Sequence, residues 1–249
     1  MPEPSGPSPP VPDEEEILDR DGLDAAAVHQ ALAELRRVNR LLLGHLPVHR
    51  ALFGRLLAGP RRQRLLDIGT GSGEVAGRLA RRASAAGRQV RVVGVDRKLS
   101  HLLVRGWWRA EHLGVVADAR ALPFRDGAVD WSLSTLLFHH FDAATNRRIL
   151  AEMRRVAARG ATVVDLRHSR LGRHLAGLFI PLTGAGPITR HDGLVSLARA
   201  WPLDAVASLV AGLPVEELRR RFPFRFSLVL APGGLGPGPP AAGEVADRG

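Results

Sequence analysis

Three sets of residues in this chain of 249 could do chemistry. The first is the stretch RLLDIGTGSGEVAG, from Arg64 to Gly77, where an apolar run ends in Asp67 and Gly69, Gly71 and Gly73 follow at alternate positions. Glycine lets a chain turn sharply and lets a ligand approach the backbone. Read from Gly71, GSGEVA also fits the dinucleotide pattern G-x-G-x-x-A, so the glycines leave both a pyrophosphate-bearing cofactor and a methyl donor open. The second set is a series of acids closing apolar runs: Asp67, Asp96 in VVGVDRK and Asp118 in VVADARALPF. The third is histidine: His139 and His140 in FHHF, His168 in DLRHS, and His191 beside Asp192. Histidine is the side chain best suited to take a proton near neutral pH.

The acids separate the two cofactor classes. A carboxylate at Asp67, two residues before the first glycine, would repel a pyrophosphate. S-adenosylmethionine has no phosphate and carries an ammonium and a sulfonium, which an acid beside the loop attracts. Asp96 can accept both hydroxyls of a ribose, a role common to both classes. Asp118 suits the amino group of an adenine. Asp130, after the turn signal Arg125-Asp126-Gly127, reads as a backbone cap rather than a ligand.

Regular elements must hold these residues in place. Arg64–Ile68 reads as a strand, and Glu74–Ala86 as a helix opening straight after the glycines. Val90–Val95 is a second strand, Leu99–Trp108 a helical stretch, Val115–Ala117 a short third strand and Val129–Ser134 a fourth. Ala143–Ala157 has strong helical spacing and is closed by Arg159-Gly160, before a fifth strand at Ala161–Leu166. Such alternation predicts a parallel sheet covered by helices on both faces, with ligands at the carboxyl ends of the strands. Two helical patterns precede it: Leu23–Leu43, with apolar residues three or four apart, and Val48–Leu57. Residues 167–200 read as a helical, loop-rich insertion. Leu203–Leu213 follows as a helix, then Val215–Arg221 and Phe224–Ala231 as strands able to pair in a hairpin.

Composition narrows the class. Hydrophobic residues make up 45% of the chain, enough for a sizeable core. Cysteine is absent, which removes disulfides, thiolate nucleophiles and cysteine-based metal sites, and fits a reducing cytoplasm. The N-terminus lacks the pattern of a signal peptide, and no apolar run approaches the ~20 residues that span a bilayer. The formal charge of +10 is almost all arginine, in doublets such as Arg36–Arg37 and Arg154–Arg155 on predicted helices. That dispersal reads as solvated helix faces rather than a basic stripe interleaved with aromatics, so nucleic acid is not the expected partner. Residues 1–14 and 233–249, rich in Pro, Gly and Ser, read as disordered tails.

Taken in order, LLDIGTGSGEVAGRLA, VVGVDRK, VVADARALPF and GAVDWSLSTLLFHHF resemble the successive motifs of class I S-adenosylmethionine-dependent methyltransferases, over roughly residues 60–166. The resemblance implies a Rossmann-like α/β fold whose seven-stranded sheet is mostly parallel, with its last strand antiparallel. By it, residues 15–232 are one domain: a helical cap at 15–60, a cofactor-binding core at 61–166, a helical lid at 167–200 and a C-terminal helix and strands at 201–232. It implies that Asp67, Gly69, Gly71 and Gly73 hold the methionine portion of S-adenosylmethionine, with Thr70 in the same loop. Asp96 would hold the ribose, with Arg97 beside it. Asp118 and the Ala119 backbone would read the adenine, and Ser134 to Leu136 would line the methionine side.

A narrower likeness concerns the acceptor. LDRDGLDAAAVHQALAELRRVNRLLLGH, the stretch from FHHFDAATNRR to DLRHSRLG, and ITRHDGLVSLARAW resemble methyltransferases encoded beside bacterial type III polyketide synthases. That implies a small aromatic acceptor, a phenol or quinone. His140 and His191 lead as the base that deprotonates it, followed by His139 and His168. Asn39, Leu43 and the segment Leu171–Leu182 are candidates to roof its pocket. No acid–acid–Asn cluster suited to a metal-dependent catechol mechanism is visible, so no metal is expected. Two other readings stay open. One is a tRNA or rRNA methyltransferase, although the Asn/Asp-Pro-Pro-aromatic tetrapeptide used on exocyclic amines is replaced by Ser134-Thr135-Leu136-Leu137. The other is a non-catalytic accessory protein that keeps the fold.

Overall fold

The computed structural model describes residues 14–20, 22–41, 44–104 and 112–233. The two predicted tails, Leu43 and the predicted helix beyond Val104 lie outside the described residues, apart from Glu14 and Gly233 at the tails' inner edges.

Five strands run parallel, and the connections between them carry helices except the one between the third and the fourth. They are β1 (Arg62–Ile68), β2 (Gln89–Asp96), β3 (Leu113–Val116), β4 (Val129–Thr135) and β5 (Ala157–Leu166). A closing hairpin adds β6 (Val215–Arg221) and β7 (Arg225–Leu230), β7 pairing antiparallel with both β6 and β5. The seven strands stand in the order β3-β2-β1-β4-β5-β7-β6. Sequence order reverses between β1 and β4, so the carboxyl ends of these two strands flank the crevice where such sheets take ligands.

The N-terminal part is helical, with α1 (Ala25–Leu41) followed by a continuous run of α2 (Leu46–Val48), a π turn at His49–Phe53 and α3 (Gly54–Ala58). The helices of the core are α4 (Glu74–Ala85), the single turn α5 (Leu99–Leu102) and α6 (Ala143–Val156). Then come α7 (Arg170–Leu182) and α8 (Pro187–Ala198), both within the stretch read as helical, and α9 (Leu203–Leu209). One face of the sheet packs on Ile149, Met153, Trp201 and Val206, and the other on Leu52, Leu56, Leu79 and Ala83. A third, smaller cluster of Leu18, Val28, Ala31, Leu32 and Val104 joins the N-terminal segment to the core.

Several boundaries shift from the sequence reading: the helix read over Leu203–Leu213 ends at Leu209 and the one read from Leu99 ends at Leu102. β5 begins at Ala157 rather than Ala161, directly after α6 and with a shift of register against β4. Gly160 was read as a helix stop, but it lies within the strand at φ +148°, where a Cβ would meet Leu230 O at 2.8 Å. Glycine there permits the irregularity in an otherwise buried strand. Asp130 plays the structural part expected of it, accepting Arg64 N–H at 2.8 Å and Arg159 Nε–H at 3.2 Å.

Candidate active site

β1 delivers Asp67 to the crevice almost sealed, at 1% exposure. Thr70 Oγ1 donates to Asp67 Oδ2 at 2.7 Å, whereas Oδ1 has no partner. Burial disfavours the carboxylate and lifts its pKa to about 7; Thr70 pulls against that rise, and the charge of Asp96 adds to it. Thr70 thus orients the acid in this state. Gly69, Gly71 and Gly73 take φ values of +68°, +52° and +73°, a region closed to most side chains. A Cβ on Gly69 would lie 2.8 Å from Leu137 Cδ1, while one on Gly71 would meet nothing within 4 Å. Gly69 is therefore fixed by its neighbours, and Gly71 borders open space.

The loop is tied to the end of β2. Asp96 accepts N–H bonds from Gly71 and Lys98, both at 2.9 Å, and lies 3.3 Å from His101 Nδ1. Burial opposes its ionisation, but His101 and these N–H groups outweigh burial and hold its pKa below the ordinary carboxylate value. Asp118 is partly exposed and fully engaged by Arg120, whose guanidinium donates at 2.6 to 3.0 Å. Ala119 is half-buried and Arg97 exposed. On β4, opposite Ile68 in register, Ser134 is sealed and its Oγ has no partner. Leu136 follows at φ +55°, a strained value of the kind that gathers at working sites. An orphaned acid oxygen and an orphaned hydroxyl, on adjacent strand ends beside an open glycine loop, fit a group with a cationic end and no phosphate.

The next turn holds the paired histidines. Phe138–His140 form a 3₁₀ turn whose Phe138 carbonyl accepts from Asn146 Nδ2 at 2.8 Å and Trp201 Nε1 at 3.1 Å. Asp165, at the end of β5, accepts the N–H groups of Leu137 and Phe138 and lies 2.7 Å from His139 Nδ1. The His139 and His140 rings are 4.3 Å apart, centre to centre. From the other side come residues that the sequence reading left out. Glu16 Oε1 is 3.5 Å from His139 Nε2 and 3.9 Å from His140 Nε2, and Asp19 Oδ2 is 2.8 Å from His140 Nδ1. Burial works against a charged His139, but Asp165 and Glu16 override it and hold the imidazolium well above its ordinary range. The three atoms of Glu16, His139 and His140 are close enough to hold a cation, and ion pairing with Asp165 and Asp19 already accounts for the arrangement.

Glu16 and Asp19 belong to a strap, Glu14–Arg20, fastened across this edge. Its Ile17 and Leu18 N–H groups donate to Asp192 at 2.7 and 3.0 Å, and Ser196 Oγ donates to Glu16 at 2.6 Å. At the far end Lys98 Nζ donates to the carbonyls of Leu18 and Arg20. The only sequence sign of the strap was the acidic run DEEEILD, which looks like any solvated stretch. His191 fastens it as well, lying 2.9 Å from both Asp192 and Glu14, so the structure ties His191 to the strap rather than to the histidine pair. His168 is exposed, and its backbone N–H donates to Trp201 O. The candidate bases thus divide into a converging pair, His139 and His140, and two residues outside it, His191 on the strap and the exposed His168.

Residues 66–164 match the family model described as "Methyltransferase domain". This stretch is similar to a methyltransferase domain. The chain is similar to ajmaline N-methyltransferase of Rauvolfia serpentina, 30% identical over 159 residues that cover 62% of this chain and 53% of the relative. Demethylmenaquinone methyltransferase of Thermus thermophilus is 38% identical over 109 residues, 42% of this chain and 46% of the relative. The chain spans about half the length of these curated relatives. Human N-acetylserotonin methyltransferase, solved with S-adenosylmethionine, superposes with a TM-score of 0.58 at 12% identity, over 85% of this chain and 57% of that one. The methyltransferase fold, with its antiparallel β7, is the one the motif series implied. Among the described residues no helix is long and apolar enough to cross a membrane.

Proposed function

We propose that this chain moves the methyl group of S-adenosylmethionine to an oxygen of a small aromatic acceptor, a phenol or quinol of the polyketide type. The observation that carries this reading is one sheet edge holding two halves of a site: the orphaned Asp67 carboxyl beside the open Gly71 loop, and the His139–His140 turn one strand end away. Asp67 and Ser134 would hold the amino-acid end of the cofactor, Asp96 the ribose, and Asp118 with the Ala119 backbone the adenine. Asp118 would exchange part of its pairing with Arg120 to do so. When bound, the cofactor supplies an electrophilic methyl on a sulfonium.

The residues of the chain then have to align, deprotonate and shield the acceptor. His140 takes the hydroxyl proton on Nε2, with Asp19 steadying its Nδ1. His139, held charged between Asp165 and Glu16, stabilises the negative oxygen that results. The strap keeps water from the reacting centre. Both residues that hold the pair's imidazoles from below and above, Asp165 and Glu16, are buried, so the pair is pre-oriented. A quinone-linked relative at 38% identity is in keeping with an aromatic acceptor.

The test has two stages. Titration calorimetry should detect S-adenosylmethionine binding, and Asp96→Ala should abolish it. Labelled methyl transfer to a panel of alkylresorcinols and quinols should then give an ether product. Absence of cofactor binding by the intact chain would overturn the enzyme reading in favour of an accessory role. Transfer to tRNA or rRNA in place of the phenols would replace the acceptor.

A further inference from the structure

Arginine is almost never buried without an anion beside it, because removing its charge from water is costly. Arg225, the first residue of β7, is 7% exposed. Among the described residues its guanidinium makes one hydrogen bond, Nη2–H to Asn39 Oδ1 at 3.1 Å, and no carboxylate lies at ion-pairing distance. Asp165 is the nearest charge to act on it, but its oxygens already serve His139 and the N–H groups of Leu137, Phe138 and Leu166. None of the Arg225 nitrogens is among the sealed, unpartnered polar atoms, so the unbonded ones face space that solvent enters.

Its place in the fold says what that space is. β7 runs antiparallel to β5 and pairs Arg225 with Leu166, one residue beyond Asp165, so Arg225 stands at the carboxyl edge of the sheet. Gly44 and Asn39 roof it: a Cβ on Gly44 would lie 3.0 Å from Arg225 Nη2. α7 closes the side, with Gly172 admitting the Phe224 ring where a Cβ would come within 2.7 Å. A cation has been built into the acceptor side and left without its counter-ion.

We propose that Arg225 is the recognition cation for the acceptor, and that the acceptor is an aromatic acid: a phenol bearing a carboxylate that pairs with the guanidinium while its hydroxyl faces His140. The planar fork of arginine matches a carboxylate with two parallel N–H bonds, which fixes the ring's orientation as well as holding it. The Asn39 amide oxygen holds the fork without neutralising it. This rests on the acceptor binding at the His139–His140 edge, as proposed above.

The test measures ternary binding of matched probes to the full chain saturated with S-adenosylhomocysteine, by calorimetry. The pair is 2,4-dihydroxybenzoate and resorcinol, which differ only in the carboxylate. The acid should bind roughly ten- to a hundredfold more tightly. Arg225→Gln should erase that preference while changing resorcinol binding less than threefold, and Arg225→Lys should restore part of it. Asn39→Asp, which supplies the missing anion from within, should also erase the preference and leave a folded protein that binds cofactor. Equal binding of the two probes by the wild type would overturn the proposal. So would an equal loss for both probes in Arg225→Gln, or no acid binding at all to cofactor-saturated protein. Failure of the cofactor itself to bind would instead overturn the methyltransferase activity, so the two failures are distinct.

Discussion

Asp19 Oδ2 lies 2.8 Å from His140 Nδ1 across 121 positions of sequence. The pairing occupies Nδ1, so in the proposed reaction Nε2 is the nitrogen of His140 left for the acceptor. His140→Gln should lower the rate of methyl transfer by about 10²–10⁴-fold in single-turnover kinetics, with cofactor affinity unchanged. Asp19→Asn keeps the shape and removes the charge, and should cost on the order of tenfold. A drop of less than threefold for His140→Gln would remove that residue from the reaction.

Asp67 should make cofactor binding pH-dependent. Its carboxyl titrates at about 7 in the free protein, and a cationic ligand selects the ionised form. Binding below pH 7 must therefore expel a proton and weakens by up to about tenfold per unit. Calorimetry at pH 6 and pH 8 should show the stronger affinity at pH 8, and Asp67→Asn should flatten the profile.

The same group sets a stability trend of the opposite sense. Its folded pKa lies above its unfolded value of about 3.8, so the stability it gives is complete below pH 3.8 and is lost as pH rises towards 7. Ligand-free Asp67→Asn should accordingly be more stable than wild type at pH 8, by about 2–4 kcal/mol in urea unfolding. Equal stability would mean that the orphaned carboxylate is solvated in a way the 1% exposure does not suggest.

The loop glycines should separate folding from binding. Gly69→Ala adds a methyl 2.8 Å from Leu137 at a left-handed φ, and should destabilise the protein by about 2 kcal/mol or more. Gly71→Ala meets no protein atom, so its cost is the backbone strain of about 1–2 kcal/mol. It should stay folded by thermal melt yet lose cofactor affinity at least tenfold, since the methyl projects into the open side of the loop.

Asn146 offers a test of positioning at a distance. It donates to the carbonyls of both Phe138 and Phe141 and so braces the histidine turn from α6. Asn146→Ala should leave cofactor affinity unchanged and lower turnover, with a stability loss of about 1–3 kcal/mol, because the Phe141 carbonyl loses its partner while that of Phe138 keeps Trp201. A variant with normal turnover would show that the turn holds its shape through Trp201 and Asp165 alone.

How much of this was readable in the chain follows from range. The strands, α4 and α6 were legible because alternation and helical spacing are local, and the acids at strand ends were legible because β1 and β2 end where the apolar runs end. Asp165 closes the run ATVVDL in plain sight, yet it went unnamed, because its value lies in His139 and two N–H groups almost thirty positions earlier. Glu16 and Asp19 were hidden for the same reason: an acidic stretch looks solvated until the distant cations that it meets are known. Arg225 was read only as one residue of the strand pattern FRFSLVLA, since nothing local says that its neighbours bury it. His191 was placed correctly near an acid, but that acid, Asp192, is spent on strap N–H groups.

The strap carries a consequence for how the molecule comes into being. The polar partners that fasten residues 14–20 follow them by 78 positions or more along the chain: Lys98, the 139–140 turn, Asp192, Ser196 and Arg199. Contacts of such long sequence separation form late in folding. The segment that crosses the histidine turn is thus made before its polar partners and is among the last to settle into place. A chain halted before α8 lacks Asp192 and Ser196, so the strap has nothing to fasten to at that end and the edge over the histidine turn stays unfinished.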